Sequence, residues 1–166
     1  MKKILFIAGV ILIPAMATFA QDNNRDYAAA ADPVIIKSQF SADFPDAKNV
    51  HFARVKDLYD VSFTQNNKKT NAYYNDKDEL VGTIRKESFA DLPDNAQKEI
   101  RHTYPDYTIA NVIKFDDSES DVTEMILYGK SMDDADNYFV ELKSDSKAIV
   151  VKVDVAGEVN YLTTMK

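Results

Sequence analysis

The side chains best suited to chemistry in this sequence are two histidines and three acidic stretches. His51 lies beside a predicted strand and His102 lies on a predicted helix, while the acidic stretches are residues 75–79 (NDKDE), 116–121 (DDSESD) and 133–137 (DDADN). Their oxygen atoms suit calcium, but no stretch has the Asp-x-Asp-x-Asp-Gly run with a distal Glu that makes a calcium loop. With two histidines, a zinc-type site would need carboxylates from elsewhere in the fold. We therefore expect solvated acidic turns, unligated imidazoles and no cofactor.

Signatures of catalysis are also missing. The chain has no Cys, which excludes thiol nucleophiles and thiolate metal sites, and it has no Gly-x-Ser-x-Gly nucleophile elbow. No Gly-rich phosphate-binding loop occurs among its four glycines. Its 27 acidic residues form many pairs, but none stands out as an acid–base pair. The sequence therefore predicts that this protein is not an enzyme.

The N-terminus predicts export. Residues 1–20 combine two lysines, a short apolar run and small residues, as in a cleaved signal peptide; the cut falls before Gln21 or, alternatively, before Thr18. Removal of two lysines changes the net charge from −7 to −9, which argues against binding to nucleic acid or anionic membrane. Without Cys there are no disulfides, so packing alone must hold the fold. We expect a periplasmic or secreted protein that leaves the membrane after cleavage and begins with a flexible segment, 21–31.

The sequence segments that predict helices and strands, and so would position a binding surface, occur twice in the chain. The segment FPDA, 44–47, returns as YPDY, 104–107, and each follows residues spaced by four, as on one face of a helix. Further on, YDVSF (59–63) corresponds to YFVEL (138–142), and YNDKDEL corresponds to VDVAGEV. The offset grows from 60 to 79, which places an insertion near 116–136, either an extra strand or a lengthened hairpin. We predict an α+β fold, a tandem repeat of one helical segment and about four antiparallel strands, over 32–87 and 88–166.

Alternation within the strands predicts which residues are buried. The two units should form one continuous antiparallel sheet with both helices packed on one face, and the other face should be wet. The helix side should carry Tyr59, Val61, Phe63, Ala72 and Tyr74 in the first unit, and their counterparts Tyr138, Val140, Leu142, Ile149, Val151 and Val153 in the second. The wet face then includes apolar residues in addition to polar ones, as in a protein-binding patch. The candidate partner-binding residues are Leu58, Tyr73, Phe139, Glu141, Val150 and Lys152.

Several short motifs occur in this chain in an order that resembles a known protein family. F-x-x-D-F-P-D-A-x-x-V, Y-x-V-x-F, A-Y-Y-x-x-x-x-x-L-x-G-T and L-P-x-x-x-x-x-x-I-x-x-x-Y-P, spread over about residues 33–162, are similar to the PepSY-like proteins described as β-lactamase-inhibitor-like. The resemblance implies small exported bacterial proteins with tandem units joined into one sheet. It also implies protein-binding or restraint of an enzyme through the sheet surface. This chain has no Cys, unlike the disulfide-tied β-lactamase inhibitory protein, so lactamase inhibition itself does not carry over.

Composition, motifs and resemblance together predict an exported, non-enzymatic binding module. Its partner would be an envelope or secreted protein, contacted through the exposed sheet face. The alternative is a periplasmic carrier of a small ligand or metal ion, held between sheet and helices or in the acidic insertion. A hydrolase with a site assembled from distant residues is a third hypothesis. The oligomeric state is not predicted.

Overall fold

The computed structural model describes residues 34–118, 125–132 and 135–165. The predicted signal peptide, the 21–31 segment and parts of the insertion near 116–136 lie outside these described residues. Within the described ranges, no helix is long and apolar enough to cross a membrane.

An antiparallel sheet of eight strands, with a separate two-stranded hairpin, organises the described residues. The large sheet has the order β1-β2-β3-β4-β5-β8-β9-β10, and β6 pairs with β7. Each half of the chain therefore supplies one helix and four strands of the large sheet, which is an α+β architecture. The bounds are α1 Val34–Asp43, β1 Lys48–Val55, β2 Leu58–Gln65, β3 Lys68–Tyr74, β4 Leu80–Lys86, α2 Asp94–Thr103, β5 Thr108–Asp117, β6 Ile126–Leu127, β7 Lys130–Ser131, β8 Asn137–Lys143, β9 Ala148–Asp154 and β10 Val159–Met165.

Both helices end through the same backbone hydrogen bonds. After α1, the Phe44 N–H donates to the Phe40 carbonyl at 2.8 Å and the Ala47 N–H donates to the Phe44 carbonyl at 3.1 Å. The corresponding bonds after α2, from Tyr104 and Tyr107, measure 2.9 and 3.1 Å. A proline follows each terminal aromatic residue and disfavours further helix. The repeated F/Y-P-D segment is thus a helix terminator.

The turns between strands also correspond. In the β3–β4 turn Asp78 has φ +63°, and in the β9–β10 turn Gly157 has φ +85°. This left-handed conformation suits glycine and is tolerated by aspartate. The β2–β3 turn is a two-residue loop in which Asn66 and Asn67 both have positive φ, as tight hairpins require.

The sheet face that carries both helices, here called the helix face, holds two apolar clusters. Beneath α1 lie Val61, Phe63, Ala72 and Tyr74, packed against Ile36 and Phe40 of the helix. Beneath α2 the cluster is formed by Leu92, Ala96, Ile100, Val112, Val140, Leu142, Ile149, Val151 and Val153. The predicted helix-side residues therefore lie where alternation places them.

The opposite face, here called the hairpin face, differs from the prediction. A third apolar cluster lies there, formed by Leu58, Tyr73, Val81, Ile84, Ile113, Phe115, Phe139 and Val150 with Met125, Leu127 and Met132 of the hairpin segment. The prediction that this face is open and wet is wrong over the area of the cluster. The physical reason is that residues 125–132 pack across it and remove its apolar side chains from water.

Candidate functional site

The six predicted partner-binding residues share the hairpin face, but four of them are not accessible. Leu58 is 1% exposed, Tyr73 is 3% exposed, and Phe139 and Val150 are 0% exposed. The expected exposure of these four side chains is wrong, because the hairpin segment and the sheet enclose them. Contact of this set with a partner stays a prediction, and it would require the hairpin segment to move away.

Glu141 and Lys152, the two charged members of that set, are half-buried. The Glu141 carboxylate accepts hydrogen bonds from the Tyr128 hydroxyl at 2.7 Å and from the Asn111 side-chain amide at 3.3 Å. Tyr128 belongs to the hairpin and its ring lies 5.9 Å from that of Phe139. Glu141 therefore ties the hairpin to the sheet, which gives it a structural role in this arrangement.

The helix face is polar where neither helix covers it. Strand register makes Arg85 of β4 the partner of Lys114 of β5, and Lys114 the partner of Tyr138 of β8. These positions lie between the cluster under α1 and the cluster under α2. We call this region the interhelix strip, and its charged residues are Lys68, Arg85, Glu87, Asp91, Lys114, Asp116 and Asp136.

Glu87 is the innermost group of the interhelix strip, with 3% of its side chain exposed. One carboxylate oxygen accepts from the Lys68 ammonium, and the other accepts from Arg85 Nε at 2.5 Å. Lys68 also lies 3.5 Å from Asp91, and both of those side chains are 42% exposed. A single buried anion thus holds two cations that remain partly open to solvent.

The chain of ion pairs continues across the seam between the two halves of the molecule. Arg85 Nη1 lies 3.2 Å from Asp116, which also pairs with Lys114. Lys114 in turn lies 3.7 Å from Asp136 and 5.8 Å from the centre of the Tyr138 ring. Cations and anions therefore alternate along the strip. Sheet strands carry Lys68, Arg85, Lys114 and Asp116, and the adjoining connections carry Glu87, Asp91 and Asp136.

Both outer cations of the Glu87 cluster are held in their charged forms. The hydrogen bond to Glu87 is the main cause that raises the pKa of Lys68 above its usual value. Burial opposes the charge of Arg85, but the hydrogen bond to Glu87 and the charge of Asp116 outweigh it and raise the pKa of Arg85. Lys68 and Arg85 therefore carry positive charge at neutral pH.

A small pocket opens at the α1 end of the interhelix strip, with a volume of about 260 Å³. Its lining residues are Phe44, Gln65, Asn66, Lys68, Thr70, Thr83 and Arg85. A wider cleft of about 600 Å³ lies on the other side of Asn66 and is lined by Pro45, Asp46, Ala47, Lys48, Thr64 and Asn67 in addition. The lining of the smaller pocket includes two cations, Lys68 and Arg85, and no acid, whereas the lining of the wider cleft includes one cation and one acid, Lys48 and Asp46.

The residues first considered for metal chemistry do not converge. His51 and His102 are both exposed, on β1 and in the last turn of α2. Among the described residues, no three His, Asp or Glu side chains are placed to hold a metal ion. Much of the 116–121 and 133–137 stretches lies outside those residues, so the metal-carrier alternative stays a prediction there.

The interhelix strip was missed by the sequence analysis, although a signal for it exists. In β4 and β5 the charged residues Arg85, Lys114 and Asp116 alternate with apolar Ile84, Ile113 and Phe115. This alternation predicts one polar and one apolar face in the centre of the sheet. The alternation does not indicate which of the two sheet faces carries the helices.

The fold is shared with solved structures of low sequence identity. No protein-family model and no curated protein sequence matches the chain. A BLIP-like protein from Bacteroides fragilis is 11% identical with a TM-score of 0.65, over 84% of this chain and 89% of that one. A DUF2874 family protein from Bacteroides uniformis is 13% identical with a TM-score of 0.65, over 81% and 90%. A candidate periplasmic protein from Bacteroides eggerthii is 14% identical with a TM-score of 0.65, over 82% and 89%. The predicted β-lactamase-inhibitor-like fold is confirmed.

Proposed function

We propose that this chain, which has the fold of BLIP-like proteins, is an exported, non-enzymatic module that binds a protein partner through the interhelix strip. The observation that carries the proposal is the row of alternating charges from Lys68 to Asp136, in which the strand residues Lys68 and Arg85 are 42% and 35% exposed. On the opposite face, the comparable area is closed by the hairpin segment. The exposed sheet face is therefore the helix face, between the helices.

Alternating fixed charges suit recognition of another protein. A complementary row of charges on a partner sets register and excludes partners whose like charges would meet, which gives specificity. Because Glu87 and Asp116 already hold Lys68, Arg85 and Lys114 in place, less side-chain freedom is lost on binding. Arg85 and the half-buried Tyr138 ring also belong to residue types enriched at protein interfaces.

The expected partner is an envelope or secreted protein. The signal-like N-terminus directs the chain out of the cytoplasm, and one protein of the same fold is a candidate periplasmic protein. Another is BLIP-like, so an exported hydrolase restrained by this chain is the first class of partner to test. Catalysis is not part of the proposal, since no acid–base pair or nucleophile is assembled among the strip's residues.

The place of the strip in the chain supports a binding role. We infer that residues 32–87 and 88–166 are two copies of one unit, each a helix and four strands of the large sheet, with the β6–β7 segment added to the second. The strip lies where β4 of the first unit meets β5 of the second. Binding sites commonly form at such junctions, because two units leave a concavity between them.

Photo-cross-linking in the exporting cell tests the proposal. A benzophenone amino acid at Thr83, in the strip, should form one discrete adduct, while the same group at Lys98, on the exposed side of α2, should not. Arg85→Asp should abolish the Thr83 adduct and Lys86→Asp, at the neighbouring exposed position, should leave it. No adduct from Thr83, or the same adduct from both positions, would overturn the proposal.

A further inference from the structure

The pocket at the α1 end of the strip has a lining unlike the rest of the protein. Phe44, the residue that terminates α1, forms its apolar wall, and helix-face positions of β2, β3 and β4 form its floor. Sheet register fixes that floor, since Thr70 is the partner of Arg85 and Gln65 is the partner of Lys68. The pocket is therefore preformed by secondary structure.

Its lining contains hydrogen-bond donors and no carboxylate. Two cations, Lys68 and Arg85, face a space that is also lined by the hydroxyls of Thr70 and Thr83 and by two side-chain amides. Thr70 is only 6% exposed. Among the described residues, no side-chain hydrogen bond engages either threonine hydroxyl, so both can donate to a bound group. These donors favour an anionic group over a cationic one, although the protein as a whole is acidic, with a net charge of −7.

Both cations of the pocket are already paired with acids, but one of these pairs is weak. The buried Glu87 carboxylate is shared, because it forms ion pairs with both Lys68 and Arg85. Asp91 approaches Lys68 only to 3.5 Å, in a pair whose two side chains are 42% exposed. An exposed pair of this kind contributes about 0–1 kcal/mol, so an incoming anion displaces Asp91 at little cost.

The dimensions select the kind of anion. A volume of about 260 Å³ is below the range of about 300–1,000 Å³ that holds drug-sized ligands. It accommodates a planar carboxylate with a few methylene groups, which would contact the ring of Phe44. Arg85 is already paired through Nε with Glu87 and through Nη1 with Asp116, so Lys68 and the two threonine hydroxyls are the groups that would bind the carboxylate.

We propose that this pocket binds a carboxylate group, contributed either by a peptide of the protein partner or by a free small organic acid. The inference goes beyond the protein-binding function, because a pocket that holds a free acid does not require the strip to hold a protein. If the carboxylate belongs to the partner, the pocket fixes one end of the complex. If it is free, the protein is a carrier of a small acid.

NMR titration of the isotope-labelled mature chain tests this. The probes are glutarate, a short neutral peptide with a free C-terminal carboxylate, and the same peptide with a C-terminal amide. We expect either carboxylate probe to shift the backbone amide signals of Thr70, Thr83 and Asn66 in a saturable way, and the amide peptide to leave them unchanged. Saturation by glutarate alone identifies a free acid, and saturation by the carboxylate peptide alone identifies a peptide terminus.

Two adjacent lysines provide a matched pair of variants. Lys68→Met should weaken binding by about tenfold, the cost of losing one charge-assisted hydrogen bond, while Lys69→Met, outside the pocket, should change it less than about twofold. Three results would overturn the inference. The first is an equal shift by the carboxylate and amide peptides with none by glutarate, and the second is no saturable shift with any probe. The third is equal weakening of binding by both variants. None of these outcomes bears on the cross-link from Thr83, so the two proposals fail separately.

Discussion

Replacing Phe139 with alanine should strongly destabilise the protein. Phe139 is 0% exposed, and its ring lies 5.9 Å from Tyr128 of the hairpin. Truncation of a buried Phe costs about 3–5 kcal/mol of unfolding free energy. Two flexible methionines, Met125 and Met132, line the same cluster and can partly fill the cavity, which favours a value near 3 kcal/mol. That is a large share of the about 5–15 kcal/mol that stabilises an ordinary domain.

Urea unfolding followed by circular dichroism measures the difference. The Phe139→Ala midpoint should fall with the slope unchanged, and the melting temperature should fall by roughly 6–12 °C. Tyr161→Ala is the matched control, because Tyr161 is an aromatic residue on strand β10 that is 58% exposed. Its loss should cost less than about 1 kcal/mol, including the hydrogen bond between its hydroxyl and Thr164.

Equal, small losses for the two variants would refute the reasoning. A Phe139→Ala cost below about 1 kcal/mol would mean that this side chain is already in contact with water. The hairpin segment would then not cover the sheet, and the hairpin face would regain its place as a candidate binding surface. A large loss in both variants would instead mean that exposure on β10 is misassigned.

Two further predictions concern backbone conformation and pH. Gly157→Ala should cost about 2 kcal/mol or more of unfolding free energy, since the φ of Gly157 is +85° and a Cβ would lie 2.3 Å from Asn95. Gly129→Ala should cost about 1–2 kcal/mol, because Gly129 has a φ of +74° but nothing within 4 Å of an added Cβ. Equal thermal shifts for the two variants would contradict the packing at Gly157. Hydrogen bonds from the Ser88 N–H and hydroxyl lower the pKa of Asp91 to about 2, below its unfolded value of about 3.9. Its stabilising contribution is therefore complete above about pH 4 and is lost as pH falls through 2. Because Asp91 is exposed, Asp91→Asn should cost under about 1 kcal/mol at pH 6 and almost nothing at pH 2, and a cost that is the same at both pH values would contradict this assignment.

The helix face was predictable because its signals are local. Strict alternation in β2, β3, β8 and β9 assigned residues such as Val61 and Val151 to the packed side. Spacing by four predicted one apolar face on each helix, and in the structure these faces meet the sheet through residues such as Phe40 and Ile100. The paired helix terminators and the matching turns around Asp78 and Gly157 were likewise readable from short segments. The duplication of one unit stays a prediction, consistent with these correspondences.

The hairpin face was not predictable because its cover is non-local. The sequence VTEMILY shows an apolar segment, but not the surface on which it packs. Among the described residues, its two-residue strands pair only with each other, so sheet periodicity does not reveal their position. The prediction that the second face is wet was therefore wrong at four positions. Side chains of the hairpin segment pack in one apolar cluster with Leu58, Tyr73, Phe139 and Val150.

The interhelix strip was missed for a related reason. Its register depends on an irregularity between Tyr73 and Tyr74, where β4 supplies an extra residue opposite β3. A bulge of this kind reverses which side chains face the helices, so the facing of Arg85 does not follow from counting along the chain. Charges on a central strand indicate a wet surface only when the position of the helices is also known.

The proposed function depends on which part of the sheet is open to solvent, and cysteine accessibility measures this directly. The chain has no Cys, so single replacements report one site each. Thr83→Cys in the interhelix strip should react with a maleimide within about tenfold of a free peptide thiol, whereas Val150→Cys, at a position that is 0% exposed, should react at least about a hundredfold more slowly. Fast reaction at position 150 with protection at position 83 would show that the hairpin face, and not the interhelix strip, is the surface offered to a partner.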